Sequence, residues 1–178
     1  MQQMTGVNAI VTQVGGIITQ YNQDLGDYTP LIINVVQLFS TILTIGLLAK
    51  VGRRPVINLG NLGLAICNIL IGVVFIFISS WSASITVIFG LLIIYMIIYG
   101  ISLGPTVWLY VPEIIPAKIV PFATTLNWIG CSICIIITPI LNDSFNADYP
   151  VFFLFGAISF IFFIINYFFM VETKGLSV

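Results

Sequence analysis

An all-α, polytopic transmembrane bundle of six helices is the fold this sequence predicts, and three observations predict it. Hydrophobic residues fill 60% of the 178 positions and charged residues only 6%, whereas a soluble domain carries about 25% charged residues. The charges are confined to connectors, which leaves six uncharged apolar stretches. Each is near the ~20 residues a helix needs to cross hydrocarbon, about twice the length of a membrane barrel strand. The 5 basic and 6 acidic residues are too few to cover a water-facing surface, so lipid is the expected solvent. Their near balance gives no reason to expect a nucleic-acid partner.

The first stretch, 1–21, carries ordered polarity. At 100° per residue Gln2, Thr5, Thr12, Gln13, Gly16, Thr19 and Gln20 share a face, with Asn8 at its margin and Gln3 off it. An amide facing lipid would lack a partner, so this face is expected against other helices or a wet cavity. The second stretch, 30–49, gathers Asn34, Gln37, Ser40, Thr41 and Thr44 within about a third of a turn. The third, 56–79, follows the basic cluster Lys50, Arg53 and Arg54. The fourth, 84–110, exceeds the span and holds Gly100 and Gly104 followed directly by Pro105. Small residues allow close helix approach and proline removes a backbone hydrogen bond, so a break is expected there with Trp108 just beyond it. The fifth, 119–141, places Thr124, Asn127 and Thr138 on one face with Trp128 beside it, and the sixth runs over 149–171. Interhelical hydrogen bonding explains one such face. Three amide-bearing faces without charges favour a hydrated cavity for a neutral polar solute. Carboxamides and hydroxyls each donate and accept, and indoles offer flat surfaces to the C–H faces of a pyranose, so a sugar fits this chemistry.

Alternating sides along the chain puts all 5 basic residues on one side and four of the 6 acidic residues on the other. The basic side is expected to be cytoplasmic. Enzyme chemistry is not expected: there is no His, no paired intramembrane carboxylate, and no nucleophile with a base. Cys67, Cys131 and Cys134 lie inside apolar stretches and read as small buried hydrophobes, so neither a metal nor a cofactor is expected.

Five motifs resemble those of the sugar porters of the major facilitator superfamily, which include the facilitative glucose transporters. Gln2-Gln3-Met4-Thr5-Gly6-Val7-Asn8 resembles the Q-Q-x-[ST]-G-[IV]-N of their seventh helix. Gly52-Arg53-Arg54 resembles the loop between the eighth and ninth, and Gly104-Pro105 through Trp108, Glu113 and Pro116 the tenth-helix signature. Asn127-Trp128 matches a pair in the eleventh helix, and Glu172-Thr173-Lys174-Gly175 the close of the twelfth. Together they cover essentially the whole chain. The resemblance implies the carboxyl-terminal half of a hexose transporter working by alternating access. It implies substrate contacts at Gln2, Gln3, Asn8, Trp108, Asn127 and Trp128. The family's eighth-helix asparagine falls on Gln37, which keeps an amide one methylene longer. A cytoplasmic charge lattice is implied at Arg53, Arg54, Glu113 and Glu172.

The sequence departs from the family at Thr12 and Gln13, where many relatives have tyrosines, at Val171 for proline, and at Val120 for a basic residue that Lys118 partly replaces. The expected partners are a monosaccharide, the lipid bilayer and a missing amino-terminal half. Protons stay open as a coupling ion, since relatives that use them carry the carboxylate in the first helix. The domain expectation is residues 1–178 as one six-helix half, its first helix truncated, in the plasma membrane. The competing classes are a non-transporting sugar sensor and a degenerate structural fragment of the same fold.

The charge sorting generates a topology test in intact cells. In a background without Cys67, Cys131 and Cys134, an impermeant thiol reagent should label a cysteine at 146 and spare one at 53. The opposite pattern would invert the orientation.

Overall fold

The computed structural model describes residues 1–77 and 84–175. A short 3-10 turn (Gln2–Thr5) leads into α1 (Val7–Tyr21), α2 (Gln23–Val51), α3 (Arg53–Ile76), α4 (Ser84–Ile101), α5 (Leu103–Ile114), α6 (Val120–Phe145) and α7 (Tyr149–Phe169). Among the described residues there is no strand. The turn expected at 79–84, with Trp81, lies outside the described residues apart from Ser84.

Among the described residues five spans are long and apolar enough to cross a membrane, with α4 and α5 together forming one of them, Ser84–Ile114. The α1 helix, at 15 residues, rises ~22 Å and falls short of the ~30 Å hydrocarbon core. The first stretch was expected to be one helix, and the structure divides it at Gly6, whose φ of 87° is left-handed. The Phe155 ring fills the space there, 2.2 Å from where a Cβ would sit.

The α2 helix begins seven residues before Pro30, earlier than the apolar pattern alone suggests. Its start is set by polar chemistry: the Asn22 side chain accepts from the Leu25 N–H at 3.0 Å, and Asp24 sits in the first turn. Both favour a helix N-terminus. The α6 and α7 helices each start with proline in the first turn, where no backbone donor is lost.

The fourth stretch is interrupted at Ser102 (φ −115°, ψ −93°). The Ser102 N–H is shared between the Ile98 and Tyr99 carbonyls at 3.0 and 3.2 Å. Pro105 has no N–H to return to the Ile101 carbonyl, so the ladder cannot run through. Gly100 lets α2 approach: a Cβ there would lie 2.6 Å from that of Ser40. Thr44 Oγ1 donates to the Gly100 carbonyl at 2.8 Å. Ser40 and Thr44 are buried in this contact while Asn34 is exposed. The polar face of α2 therefore divides between packing and an open side.

The bundle is inverted relative to a soluble protein. Leu31, Leu38, Ile42 and Ile45 on α2 and Phe168 and Phe169 on α7 are exposed, whereas Gln2, Thr5, Asn61, Asn68 and Ser159 are buried. A soluble surface does not expose apolar area on this scale. The chain is an integral, multi-pass membrane protein. Its densest packing joins α3 to α7, with Phe75 and Phe152 stacked at 5.2 Å. The apolar face of α1 (Val7, Ile10, Ile18) is buried in the same core.

Helices α1 and α2 meet most closely at Gly26, where a Cβ would stand 2.5 Å from the Thr19 backbone. Gly26→Ala should cost about 1–3 kcal/mol through forced separation. Gly46, with nothing within 4 Å, should tolerate Ala and gain ~0.5–1 kcal/mol from helix propensity. Thermal unfolding in detergent measures the difference, and equal midpoints would mean the close approach is not a constraint.

Candidate functional site

Three of the sequence-selected residues line one cleft. Gln2 from the 3-10 turn, Trp108 from α5 and Asn127 from α6, with Thr124, border a space of about 370 Å³. That lies within the ~300–1,000 Å³ range of small-molecule sites. Gln2 is 3% exposed and Trp108 43%. Trp108 also borders a second groove of about 740 Å³ with Thr41, Thr44 and Pro105, so its indole stands on the ridge between the two.

The Gln2 amide is held by the helix break. Its Nε2 donates to the Gly104 carbonyl at 2.9 Å, the Leu103 carbonyl at 3.2 Å and the Tyr99 hydroxyl at 3.0 Å. Carbonyls only accept, so the nitrogen end must point at α5 and the oxygen end away from it. Gln2 Oε1 is buried without a partner, as is Asn127 Nδ2. A buried amide atom left unpaired costs about 1–3 kcal/mol, and the two residues that carry these atoms line the same cleft.

The remaining selected residues lie elsewhere. Asn8 Nδ2 donates to Gln3 Oε1 and, at 3.1 Å, to Cys131 Sγ, which pairs these two amides against α6. Gln37 is half-buried on α2 with its carbonyl against Gly100. Trp128 is 57% exposed and does not border the cleft that Asn127 lines. On the first polar face, Thr12 and Gly16 are exposed, and Gln13 Nε2 donates to the Ile135 carbonyl at 3.3 Å. The Gln20 side chain lies outside the described residues.

Sequence reasoning missed Tyr95 and Tyr99. The Tyr95 hydroxyl donates to the Thr5 carbonyl at 3.0 Å, and Asn68 Nδ2 donates to the same carbonyl at 3.2 Å. Together with the Gln2 bonds these tie the 3-10 turn to α3, α4 and α5. The signal was two tyrosines one helical turn apart in a buried apolar helix, since a buried phenol needs a partner.

At the opposite end of α5 the four charged residues converge. Arg53 Nη2 meets Glu113 Oε1 at 2.7 Å, and Arg53 Nε donates to both carboxylate oxygens at 3.2 Å. Thr173 Oγ1 donates to Glu113 Oε2 at 2.6 Å. Glu172 caps α3: it accepts from the backbone N–H groups of Arg53 and Arg54 at 2.9 Å each. This needs Gly52 (φ 98°), where a Cβ would lie 2.7 Å from Glu172 Oε2. Arg54 Nη2 donates to the Tyr167 carbonyl at 2.7 Å, so Arg54 ties α3 to α7 through backbone. Burial is the largest single influence on Glu172 and pushes its pKa up. The N–H groups of Arg53, Lys174, Arg54 and Thr173 together outweigh it and hold the carboxyl below its ordinary value.

Comparison with known proteins agrees with this architecture. The family model described as "Sugar (and other) transporter" matches residues 1–178. The glucose transporter GlcP of Staphylococcus epidermidis is 28% identical over 99% of this chain and 40% of its own length. The arabinose-proton symporter of Bacillus subtilis is 32% identical over 98% of this chain and 38% of its own. Among solved structures, the proton:xylose symporter XylE bound to 6-bromo-6-deoxy-D-glucose superposes with a TM-score of 0.85 at 22% identity, covering 98% of this chain and 38% of that one. The fold is that of part of a major facilitator superfamily transporter. The chain spans about two fifths of the length of the relatives it matches.

The Glu172 cap has a pH signature. A depressed folded pKa contributes stability that is complete above the unfolded carboxylate value, ~4.3, and is lost as pH falls through the depressed value. Glu172→Gln should therefore lower the unfolding midpoint at pH 7 by the equivalent of ~0.3–1 kcal/mol, the scale of an anion at a helix N-terminus. The gap to wild type should close as the medium is acidified below pH ~4. A gap that persists unchanged would assign the effect to packing.

Proposed function

The chain belongs to the sugar (and other) transporter family, and from that premise we propose that it supplies the carboxyl-terminal half of a hexose transporter in the plasma membrane. The sugar is held between this half and an amino-terminal partner half, and alternating access carries it across. No covalent step is involved; family membership sets the chain among transporters, not enzymes.

The observation that supports this reading most is that Gln2, Trp108 and Asn127 border one cleft, with Gln2 Oε1 and Asn127 Nδ2 buried and without a partner. A sugar hydroxyl satisfies both kinds of group, because it donates and accepts at once. The indole supplies a flat apolar wall for ring C–H groups. Gln3, Asn8, Gln37 and Trp128 enter the reading as contacts made once the second half closes over this one. The lattice of Arg53, Arg54, Glu113 and Glu172 favours the inward-closed state in the same reading. All six carboxylates of this chain lie at helix ends or in connectors. Proton coupling, where the transporter uses it, would draw on a carboxylate in the partner half.

In the full transporter Gln2→Ala should weaken hexose affinity roughly 3- to 30-fold, since a hydrogen bond of ~0.5–1.5 kcal/mol is lost and a solute hydroxyl is left unpaired. Trp108→Ala should weaken it as well, through lost ring contact. Equilibrium binding at matched membrane expression is the measurement. Wild-type affinity in both variants would make them packing residues and remove the site.

A further inference from the structure

We propose that the outer face where α3 meets α7 holds an anionic phospholipid, with Arg54 as the group that binds its phosphate. The inference needs only the membrane placement of the bundle and is independent of which solute is carried. Arg54, Asn58, Leu59 and Leu62 of α3, with Phe163 and Tyr167 of α7, line a groove of about 420 Å³. It shares no residue with the cleft at Gln2 or with the groove beside Pro105. Leu59 and Tyr167 are exposed, so the groove opens on the surface of the bundle. Arg54 stands in the first turn of α3, at the basic end. Leu59 and Leu62 follow ~7.5 and ~12 Å further along the helix, at 1.5 Å per residue. The groove thus runs from a cation at the membrane surface into the hydrocarbon layer. A phospholipid presents its phosphate and acyl chains in that order.

The Arg54 guanidinium has five N–H donors. Among the described residues its one hydrogen bond runs from Nη2 to the Tyr167 carbonyl at 2.7 Å, which ties it to the last turn of α7 and leaves the rest of the fork unused. No carboxylate neutralises it. The one ion pair among the described residues is Arg53 with Glu113, and Glu172 reaches Arg54 through the backbone N–H at 2.9 Å. Lys174 Nζ donates to the Lys50 carbonyl at 2.7 Å, which adds two cations to the same end. All 5 basic residues but two of the 6 acidic ones sort to this side, so its surface is net positive. Guanidinium groups bind phosphate through paired N–H donors, and basic pockets between helices at the cytoplasmic surface suit anionic headgroups. A soluble phosphate would leave the walls at Leu59, Leu62 and Phe163 uncovered, whereas an acyl chain covers them.

The test measures binding of dioleoyl phosphatidylglycerol and dioleoyl phosphatidylcholine, which share acyl chains, to the full transporter in detergent by native mass spectrometry. Wild type should prefer phosphatidylglycerol by roughly 5-fold, the scale of one basic residue at an anionic surface. Arg54→Gln, whose amide can still donate to the Tyr167 carbonyl, should erase that preference. Lys118→Gln, a cation lost from the same side but outside the groove, should keep it. Leu59→Trp fills the groove from its exposed wall and leaves Arg54 in place. It should weaken phosphatidylglycerol binding about 3-fold or more, and it decides the matter should Arg54→Gln fail to accumulate. No preference in wild type overturns the inference. A preference that survives Arg54→Gln, or that falls equally with Lys118→Gln, overturns it by showing diffuse attraction. Wild-type binding by Leu59→Trp overturns it too, as does glycerol 3-phosphate competing as well as the lipid, which would mark a site for a soluble anion.

Discussion

A helix interrupted inside hydrocarbon leaves carbonyl groups that lipid cannot satisfy, and this bundle is organised around filling one such interruption. Every unpaired backbone group at membrane depth costs several kcal/mol, so irregular backbone survives only where protein or trapped water supplies the missing partners. At Ser102 the freed Gly100 carbonyl accepts from Thr44 of α2, and the Gln2 amide, brought in by a second interruption at Gly6, adds a donor to the first-turn carbonyls of α5. The 3-10 turn between Met1 and Gly6 is held in return, its Thr5 carbonyl accepting from Tyr95 and Asn68. The two breaks are tied to each other through the Gln2 amide.

That mutual dependence divides the helices by role. The α3 and α7 pair forms a tightly packed apolar wall, with Gly156 and Gly72 admitting Ile69 and Phe153 at close range. Against it lie the groups that anchor the turn, including Asn68 on α3 and the Phe155 ring beneath Gly6. The 3-10 turn, α5 and α6 then present their remaining polar atoms to the open cleft. The packed wall and the polar lining are separate surfaces. Asn61 and Asn68 also keep unpartnered amide oxygens inside the wall; the packing gives no physical account of those.

The apolar stretches and the break near Pro105 were legible in the sequence for physical reasons, whereas the grouping of Arg53, Arg54, Glu113 and Glu172 entered only through the family resemblance. Hydrocarbon excludes charge, so connectors announce themselves. Proline removes a donor wherever it falls. Helix starts were less legible, because capping chemistry at Asn22 and Asp24 carried α2 well beyond its apolar core. The Gln2 latch was legible only in its Tyr99 partner. Two of its three partners are main-chain carbonyls about a hundred residues away, and no side-chain pattern marks a carbonyl as available; the third is the Tyr99 hydroxyl. Periodicity put Gln2 on the same face as Thr12 and Gly16, yet Gly6 turns the backbone out of register, so Gln2 is buried while those two are exposed.

The α5 helix joins the two polar centres of the molecule. It is 12 residues long, ~18 Å at 1.5 Å per residue, with the Gln2 amide on its first turn and the Arg53 ion pair on its last. Trp108 sits near its middle, on the ridge between the two grooves. A short rod fixed at both ends cannot shift its centre without stretching one attachment. The hydrogen bonds at the first turn belong to a buried, neutral amide, whereas the ion pair at the last turn is part-exposed and bidentate at the Glu113 carboxylate. Exposed pairs are screened by water and salt while buried neutral bonds are not. The attachment at Glu113 is therefore the one of the two that responds to salt.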